Sequence, residues 1–215
     1  MTKPGWFYAA LAAATLFSAG CRTTYYKTME RFGVYKRDLL KDNVEEARDE
    51  QAKATEQFKD ALTRLRELYQ VDGGDLEKMY DRLQADFERS ETRAEAVRTR
   101  IEKVETVAED LFKEWEQEIA TIENSRLAAN SREKLRTTRE KYQSLHTAMK
   151  RAEGSMEPVI RQFKDQVLYL KHNLNAAAIG ALKGETLDIE KEIQQLIKDM
   201  NASIQQADSF IQGLE

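Results

Sequence analysis

The pattern of apolar and polar positions predicts long amphipathic helices over most of the chain. Between residues 40 and 68, apolar and small residues recur in steps that alternate four and three. This spacing is typical of the buried face of coiled-coil-like helices. The positions are Leu40, Val44, Ala47, Gln51, Ala54, Phe58, Ala61, Leu65 and Leu68, with the glutamine as the one polar member. No stretch alternates with period two, so we expect no strands.

The same alternation predicts four helices, at about residues 28–70, 75–124, 131–182 and 186–213. Short turns between helices imply antiparallel neighbours. We therefore predict an all-α fold: an elongated, antiparallel, coiled-coil-like helical bundle of three long helices plus a shorter C-terminal helix. Where only three helices meet, part of the apolar seam is expected to stay open for a partner or a second copy.

The third predicted helix contains two residues that disfavour helix, Gly154 and Pro158. The four-three spacing nevertheless runs through both without losing phase. The backbone carbonyl that the proline ring would meet belongs to the glycine, so we favour one kinked helix. A break at 154–157, capped by Ser155, is the alternative.

The first 20 residues differ from the rest of the chain. An apolar run of about 15 residues follows a single charge, Lys3, and ends in Ala19-Gly20. A basic start, an apolar core and small residues before the cleavage site are typical of a secretory signal. Because Cys21, the only cysteine, follows directly, we predict a bacterial lipoprotein signal peptide at 1–20. The cysteine would be lipidated and become the mature N-terminus.

Two other interpretations of this stretch stay open. A spanning helix needs roughly 20 apolar residues, so an uncleaved membrane helix fits less well. A plain secretory signal would leave a lone thiol at Cys21 in an oxidising compartment, where it would be a liability. Ser18 stands where lipoprotein signals usually carry leucine, which is the one departure from their pattern.

Basic and aromatic residues follow the cysteine. Residues 22–41 carry six basic and two acidic side chains, a net charge of +4. Such residues favour the membrane interface and anionic head groups. We therefore predict a lipidated juxtamembrane stalk at 21–41 whose membrane-proximal contacts are Arg22, Tyr25, Tyr26, Lys27 and Arg31. The alternative is a solvated first helix whose aromatic rings pack on the bundle.

The remaining residues, 42–215, form the predicted helical bundle. The whole chain carries −4, so without Lys3 and the stalk the bundle carries −9. Duplex DNA binding requires basic surface, and neither a basic run nor a phosphate-cradling glycine loop occurs here. We expect no nucleic-acid partner.

Candidate chemistry is sparse. His146 and His172 lie 26 residues apart on one predicted helix, so about 39 Å separates them and they cannot share a metal within the chain. The polar segment 171–175 is either a recognition patch or a solvated surface beside the seam. We expect no catalytic residue, no metal, no cofactor and no small-molecule substrate.

Several segments resemble one known family. They are Cys21-Arg22-Thr23-Thr24-Tyr25-Tyr26, Asp72-Gly73-Gly74-Asp75-Leu76, Met156-Glu157-Pro158-Val159 and, most strongly, Phe163-Lys164-Asp165-Gln166-Val167-Leu168-Tyr169-Leu170-Lys171-His172-Asn173-Leu174-Asn175-Ala176. They resemble an uncharacterised family of bacterial lipoproteins, domain of unknown function 2959. The likeness covers nearly the whole chain. It implies a proteobacterial envelope protein and brings no activity or site residues with it.

The function expected from these features is that of a non-enzymatic cell-envelope lipoprotein. Its place would be the periplasmic side of the outer membrane of a Gram-negative host, since Arg22 rather than Asp follows the cysteine. It would act as a structural or adaptor coiled coil, with the membrane as partner through its lipid and an envelope protein or itself as a further partner. One alternative is a BAR-like membrane-binding and remodelling module. A more remote one is a DNA-binding or repair-associated coiled coil.

Overall fold

The structure, a computed structural model, describes residues 35–70 and 76–214. The described residues form four helices: α1 (Lys36–Gln70), α2 (Leu76–Thr121), α3 (Ser125–His172) and α4 (Ala176–Gln212). They contain 35, 46, 48 and 37 residues, and no strand occurs within the described ranges. The all-α prediction is therefore confirmed. At 1.5 Å per residue the longest helix measures roughly 72 Å, so the body is elongated.

The helices form a closed ring in which each packs against two neighbours: α1 with α2 and α4, and α3 with α2 and α4. All neighbouring pairs are antiparallel, because an early residue of one helix meets a late residue of the next. The contacts that show this are Lys36 with Glu114, Arg48 with Asp208, Arg66 with Glu190, Arg98 with Glu157, Arg139 with Glu116, and Ser155 with Asp199. The predicted antiparallel bundle is confirmed.

The core follows the predicted seam. All nine seam positions of α1 are at most 3% exposed, including the polar Gln51 at 0%. The facing positions on the other helices are Leu, Ile, Val, Met and Phe, among them Phe163, whose ring meets Phe87 edge-on at 5.9 Å. Burying these side chains is the main stabilisation of the bundle. Asp86 is also buried, 1% exposed, and is held by Arg64 and Arg89.

The predicted boundary between the third and fourth helices is wrong. The turn lies at 173–175, not at Lys183-Gly184, which is inside α4. Two asparagines form it: the backbone N–H of Asn173 donates to Leu170, and the side chain of Asn175 accepts from the backbone N–H of Ala178. The four-three spacing of apolar residues continues across this turn. The spacing alone therefore gave no sign that a helix ends here.

Because of this earlier turn, α4 is longer than expected. It contacts α1 from Glu190 to Asp208, so the strip predicted to stay open beside a short fourth helix is covered over this length. The fourth helix remains shorter than α2 and α3.

The start of α3 also differs from the prediction, because the helix begins at Ser125 rather than near residue 131. Asn124 is its N-cap, and its side-chain oxygen accepts from the backbone N–H groups of Arg126 and Leu127 at 3.1 Å each. The turn after α2 is therefore only three residues long, 122–124.

Helix α3 continues through Gly154 and Pro158 without a break. The proline lacks the backbone N–H that would donate to the preceding turn. The helix tolerates this loss because the seam side chains before and after the proline, Met156 and Val159, are fully buried. Of the two alternatives, the single helix is confirmed and the break at 154–157 is wrong.

Candidate functional site: the N-terminal end of the bundle

The residues predicted to form the membrane anchor lie outside the described part of the chain. These are Cys21 and the expected contacts Arg22, Tyr25, Tyr26, Lys27 and Arg31. What the structure does show is where α1, the first described helix, begins. The candidate site is therefore the end of the bundle at which α1 begins.

The first described residues are fixed by hydrogen bonds and one ion pair. The backbone N–H groups of Asp38 and Leu39 donate to the carbonyl of Tyr35 at 3.0 Å, and the Asp38 carboxylate accepts from the Tyr35 N–H at 3.3 Å. Lys36 is 8% exposed and its ammonium donates to Glu114 of α2. The Tyr35 ring itself is 60% exposed. Helix α1 therefore begins beside α2, and Tyr35 directly before it is exposed to solvent.

The α2–α3 turn lies at this same end. Helix α2 runs seven residues past Glu114, to Thr121, which is roughly 10 Å. At the start of α3, Leu127 is 58% exposed. It follows Arg126, which is also exposed. The two most exposed large apolar side chains of the described residues, Tyr35 and Leu127, thus lie at one end of the bundle.

An aromatic cluster packs between three helices near this end of the bundle. The Tyr142 ring meets Phe112 edge-on at 5.4 Å and Phe210 at 6.2 Å, so α2, α3 and α4 converge there. The guanidinium of Arg139 lies 5.2 Å from the centre of the Phe112 ring. Trp115 donates its indole N–H to the Ser131 hydroxyl at 2.9 Å, which joins the two helices of the turn.

Titratable groups gather beside this cluster. The His146 ring stacks on Tyr142 and its Nε2 lies 2.8 Å from Glu105, while Lys150 pairs with Glu153 at 2.5 Å. Burial, followed by the carboxylates of Glu105 and Glu109, raises the pKa of Tyr142 well above its usual value. The tyrosine hydroxyl therefore stays protonated at neutral pH. The arrangement links α2 to α3.

The two histidines are separated as predicted by helix rise, since His146 lies within α3 and His172 is its last residue. In the described ranges no group of three or more His, Cys, Asp and Glu side chains is arranged to hold a metal ion. The polar segment after Lys171 forms the caps of the α3–α4 turn. Its residues are solvated around those caps, except that Asn173 is partly buried.

One groove lies at the opposite end, between α3 and α4, with a volume of about 570 Å³. Asp165 and Asp188 stand at its edges, and Tyr169 and Leu182 contribute its apolar wall. No helix in the described ranges is both long and apolar enough to cross a membrane.

Sequence reasoning missed the α2–α3 turn as part of this end of the molecule. Leu127 does not stand out from the spacing of apolar residues around it. It lies on an exposed helix surface because α3 begins after Asn124, six residues earlier than predicted. The signal that could have found it is the asparagine cap itself, followed by small residues.

Comparison with known proteins gives one match. The family model described as "Protein of unknown function (DUF2959)" matches residues 25–214. No curated protein and no solved structure matches the chain.

Proposed function

Because that model matches most of the chain, the protein belongs to the DUF2959 family, and we propose that it is a non-enzymatic lipoprotein of the bacterial cell envelope. Lipid on Cys21 would hold it at the periplasmic face of the outer membrane. The bundle would act as a structural spacer or adaptor that presents its surfaces at a set distance from that membrane.

The observation that carries this proposal is the continuity of the signal with one end of the bundle. The apolar run that ends at Cys21 lies 14 residues before Tyr35. Fully extended, those residues span at most roughly 50 Å, and the bundle beyond them is roughly 70 Å long. The α2–α3 turn would then face the membrane and the α3–α4 turn would point away from it.

The exposed side chains at the α1 end support this orientation. Tyr35 and Leu127 are the kind of residues that favour the membrane interface, and Arg37 and Arg126 beside them favour anionic head groups. They extend the basic and aromatic character of the sequence at 22–34 to residues that the structure describes.

A second candidate, a BAR-like module lying along a membrane, has one observation in its favour. Helix α3 carries eleven Lys and Arg against five Asp and Glu, a net charge of +6 within an acidic chain. The net charge of −9 on residues 42–215 does not mean that every helix is acidic. The charge is instead divided between helices, so a lateral membrane contact has to be tested directly.

The experiment compares the wild-type chain with Cys21→Ser in envelope fractions. We expect the wild-type protein in the outer-membrane fraction and the variant in the soluble periplasmic fraction or retained as precursor. The purified mature chain with Cys21→Ser is then mixed with anionic vesicles and floated. Strong flotation would support the BAR-like module. Recovery of processed Cys21→Ser protein in the outer-membrane fraction, without vesicle binding in vitro, would contradict both candidates.

A further inference from the structure

The outward face of α2 carries an unbroken column of carboxylates. Every seventh residue is acidic over six consecutive positions, and all six are exposed. Seven residues are about two helical turns, so successive carboxylates lie roughly 10.5 Å apart along one side of the helix. We call this set the acidic column: Asp81, Glu88, Glu95, Glu102, Glu109 and Glu116.

The adjacent side of α3 carries the opposite charge. Its corresponding exposed residues, again seven apart, include four cations, one amide and one carboxylate. We call this set the basic column: Arg136, Gln143, Lys150, Glu157, Lys164 and Lys171. The two helices as wholes show the same division. Helix α2 has eight basic and thirteen acidic residues, a net charge of −5, against +6 for α3.

Both columns flank the same furrow between α2 and α3. Ion pairs cross it at 2.5 Å between Arg139 and Glu116 and at 2.6 Å between Arg98 and Glu157. Lys150 reaches 3.8 Å from Glu105. The surface on either side of this furrow is therefore one two-sided strip, negative along α2 and positive along α3.

Half of the twelve column residues form no ion pair among the described residues. Six members of the columns form no ion pair with another described residue: Asp81, Glu88, Glu102, Glu109, Lys164 and Lys171. The Glu88 carboxylate accepts a hydrogen bond from the side-chain amide of Gln84 at 3.0 Å. The unpaired charges include two from each column near the far end of the bundle, where Asp81 and Glu88 lie opposite Lys164 and Lys171 along the antiparallel helices.

We propose that this strip is the interface of a parallel, two-fold symmetric dimer of this chain. A two-fold axis running along the furrow places α2 of each copy against α3 of the other, so each acidic column meets a basic column. An axis across the furrow would make the copies antiparallel and set acidic against acidic. Charge complementarity therefore selects the parallel arrangement.

Other occupants fit this strip less well. A membrane surface or a nucleic acid attracted by α3 would bring its phosphates beside the carboxylates of α2, about one helix spacing of 8–10 Å away and close to the screening length at physiological salt. A basic protein attracted by α2 would meet the cations of α3. A second copy carries an acidic column opposite the basic column of the first copy, and a basic column opposite its acidic column. The parallel dimer also places the starts of both α1 helices at one end, as attachment of both chains to one membrane would require, although the dimer does not depend on the anchor.

The test exchanges the charges in the mature chain carrying Cys21→Ser. One variant, Lys164→Glu with Lys171→Glu, makes both columns negative at the far end. The other, Asp81→Lys with Glu88→Lys, makes both positive there. Each variant alone should have an association constant lower than that of the wild-type chain by about a hundredfold or more, because four attractive pairs per dimer become repulsive. An equimolar mixture should form a heterodimer, since every facing pair is attractive again.

Sedimentation velocity measures each association at low and moderate salt. The matched control, Lys191→Glu with Lys198→Glu, makes the same charge change on α4 and should dimerise like the wild-type chain. Circular dichroism checks helix content, and all substituted residues are exposed. A wild-type chain that stays monomeric, or a mixture that does not associate, would overturn the proposal.

Orientation needs its own measurement. A spin label on Asn130→Cys, which is exposed at the α2–α3 end, would lie at the same end of the rod as its counterpart in a parallel dimer, separated from it only by the width of the dimer. An antiparallel dimer would separate the two labels by most of the rod, roughly 70 Å. Long separations in a confirmed dimer would overturn the parallel arrangement.

Discussion

The ammonium of Lys36 donates to the carboxylate of Glu114, 78 residues further along the chain, at the end where α1 begins. Lys36 is 8% exposed, and the Glu114 side chain is 34% exposed. The pair therefore fixes the entry of the chain against α2 and sets which end of the bundle follows the predicted anchor.

Loss of this carboxylate should loosen the entry point. With Glu114→Gln, the ion pair between α1 and α2 loses its carboxylate, and we expect the free energy of unfolding to fall by about 1 kcal/mol, discounted for partial exposure. Amide exchange in the first turns of α1 should quicken. Glu118→Gln is the control, since Glu118 is exposed on the same helix and makes no ion pair with a described residue. Equal effects of the two substitutions would contradict this role.

The α3–α4 turn depends on its asparagine cap. Asn175→Ala removes the acceptor for the Ala178 N–H, which lies at 2.9 Å. We expect a loss of about 1 kcal/mol in chemical denaturation. Asn201→Ala, at an exposed position inside α4, should be neutral or slightly stabilising because alanine has the better helix propensity. If Asn175→Ala is as stable as the wild-type chain, the observed turn is contradicted.

One buried polar residue opposes stability. The Gln51 side chain is 0% exposed, and neither of its amide atoms has a hydrogen-bond partner among the described residues. Gln51→Leu should raise the free energy of unfolding by about 1–3 kcal/mol, since it removes an unsatisfied group of similar size. Gln194→Leu, exposed on α4, should give no such gain. A lower melting temperature for Gln51→Leu would show that the amide is satisfied in solution.

The raised pKa of Tyr142 predicts how the free energy of unfolding changes at alkaline pH. Burial and the carboxylates of Glu105 and Glu109 raise its pKa above the ordinary value of about 10. A raised folded-state pKa contributes stability that is complete below about pH 10 and is lost as the pH rises further. Tyr142→Phe should therefore weaken the fall in unfolding free energy above about pH 10. Tyr169→Phe, whose ring is 41% exposed, is the control. Identical alkaline profiles for the two variants would contradict the assigned environment.

Most of the fold could be predicted from the spacing of apolar residues. All nine seam positions of α1 are buried, because a four-three spacing leaves only one face of a helix to pack. The α3–α4 turn could not be found in this way, since Leu170, Leu174 and Ala177 keep the spacing across it. There the cap formed by Asn175 decides the structure, and it is a hydrogen-bonding signal rather than an apolar one.

The candidate surfaces were harder to predict. The regular recurrence of acidic residues along α2 is visible in the sequence, but its meaning depends on which helix lies beside it. Only the ring of four helices places Lys164 and Lys171 next to that column. The anchor, by contrast, was predicted from local pattern alone, and it stays a prediction because Cys21 lies outside the described residues.

The central claim is that Cys21 carries the lipid that holds this bundle to a membrane. The most direct measurement is the intact mass of the mature protein purified from envelope membranes. We predict a chain that begins at Cys21 and carries a diacylglyceryl group on that residue, with the added mass absent from the Cys21→Ser variant. A chain that retains residues 1–20, or one cleaved with a free thiol at Cys21, would contradict the claim.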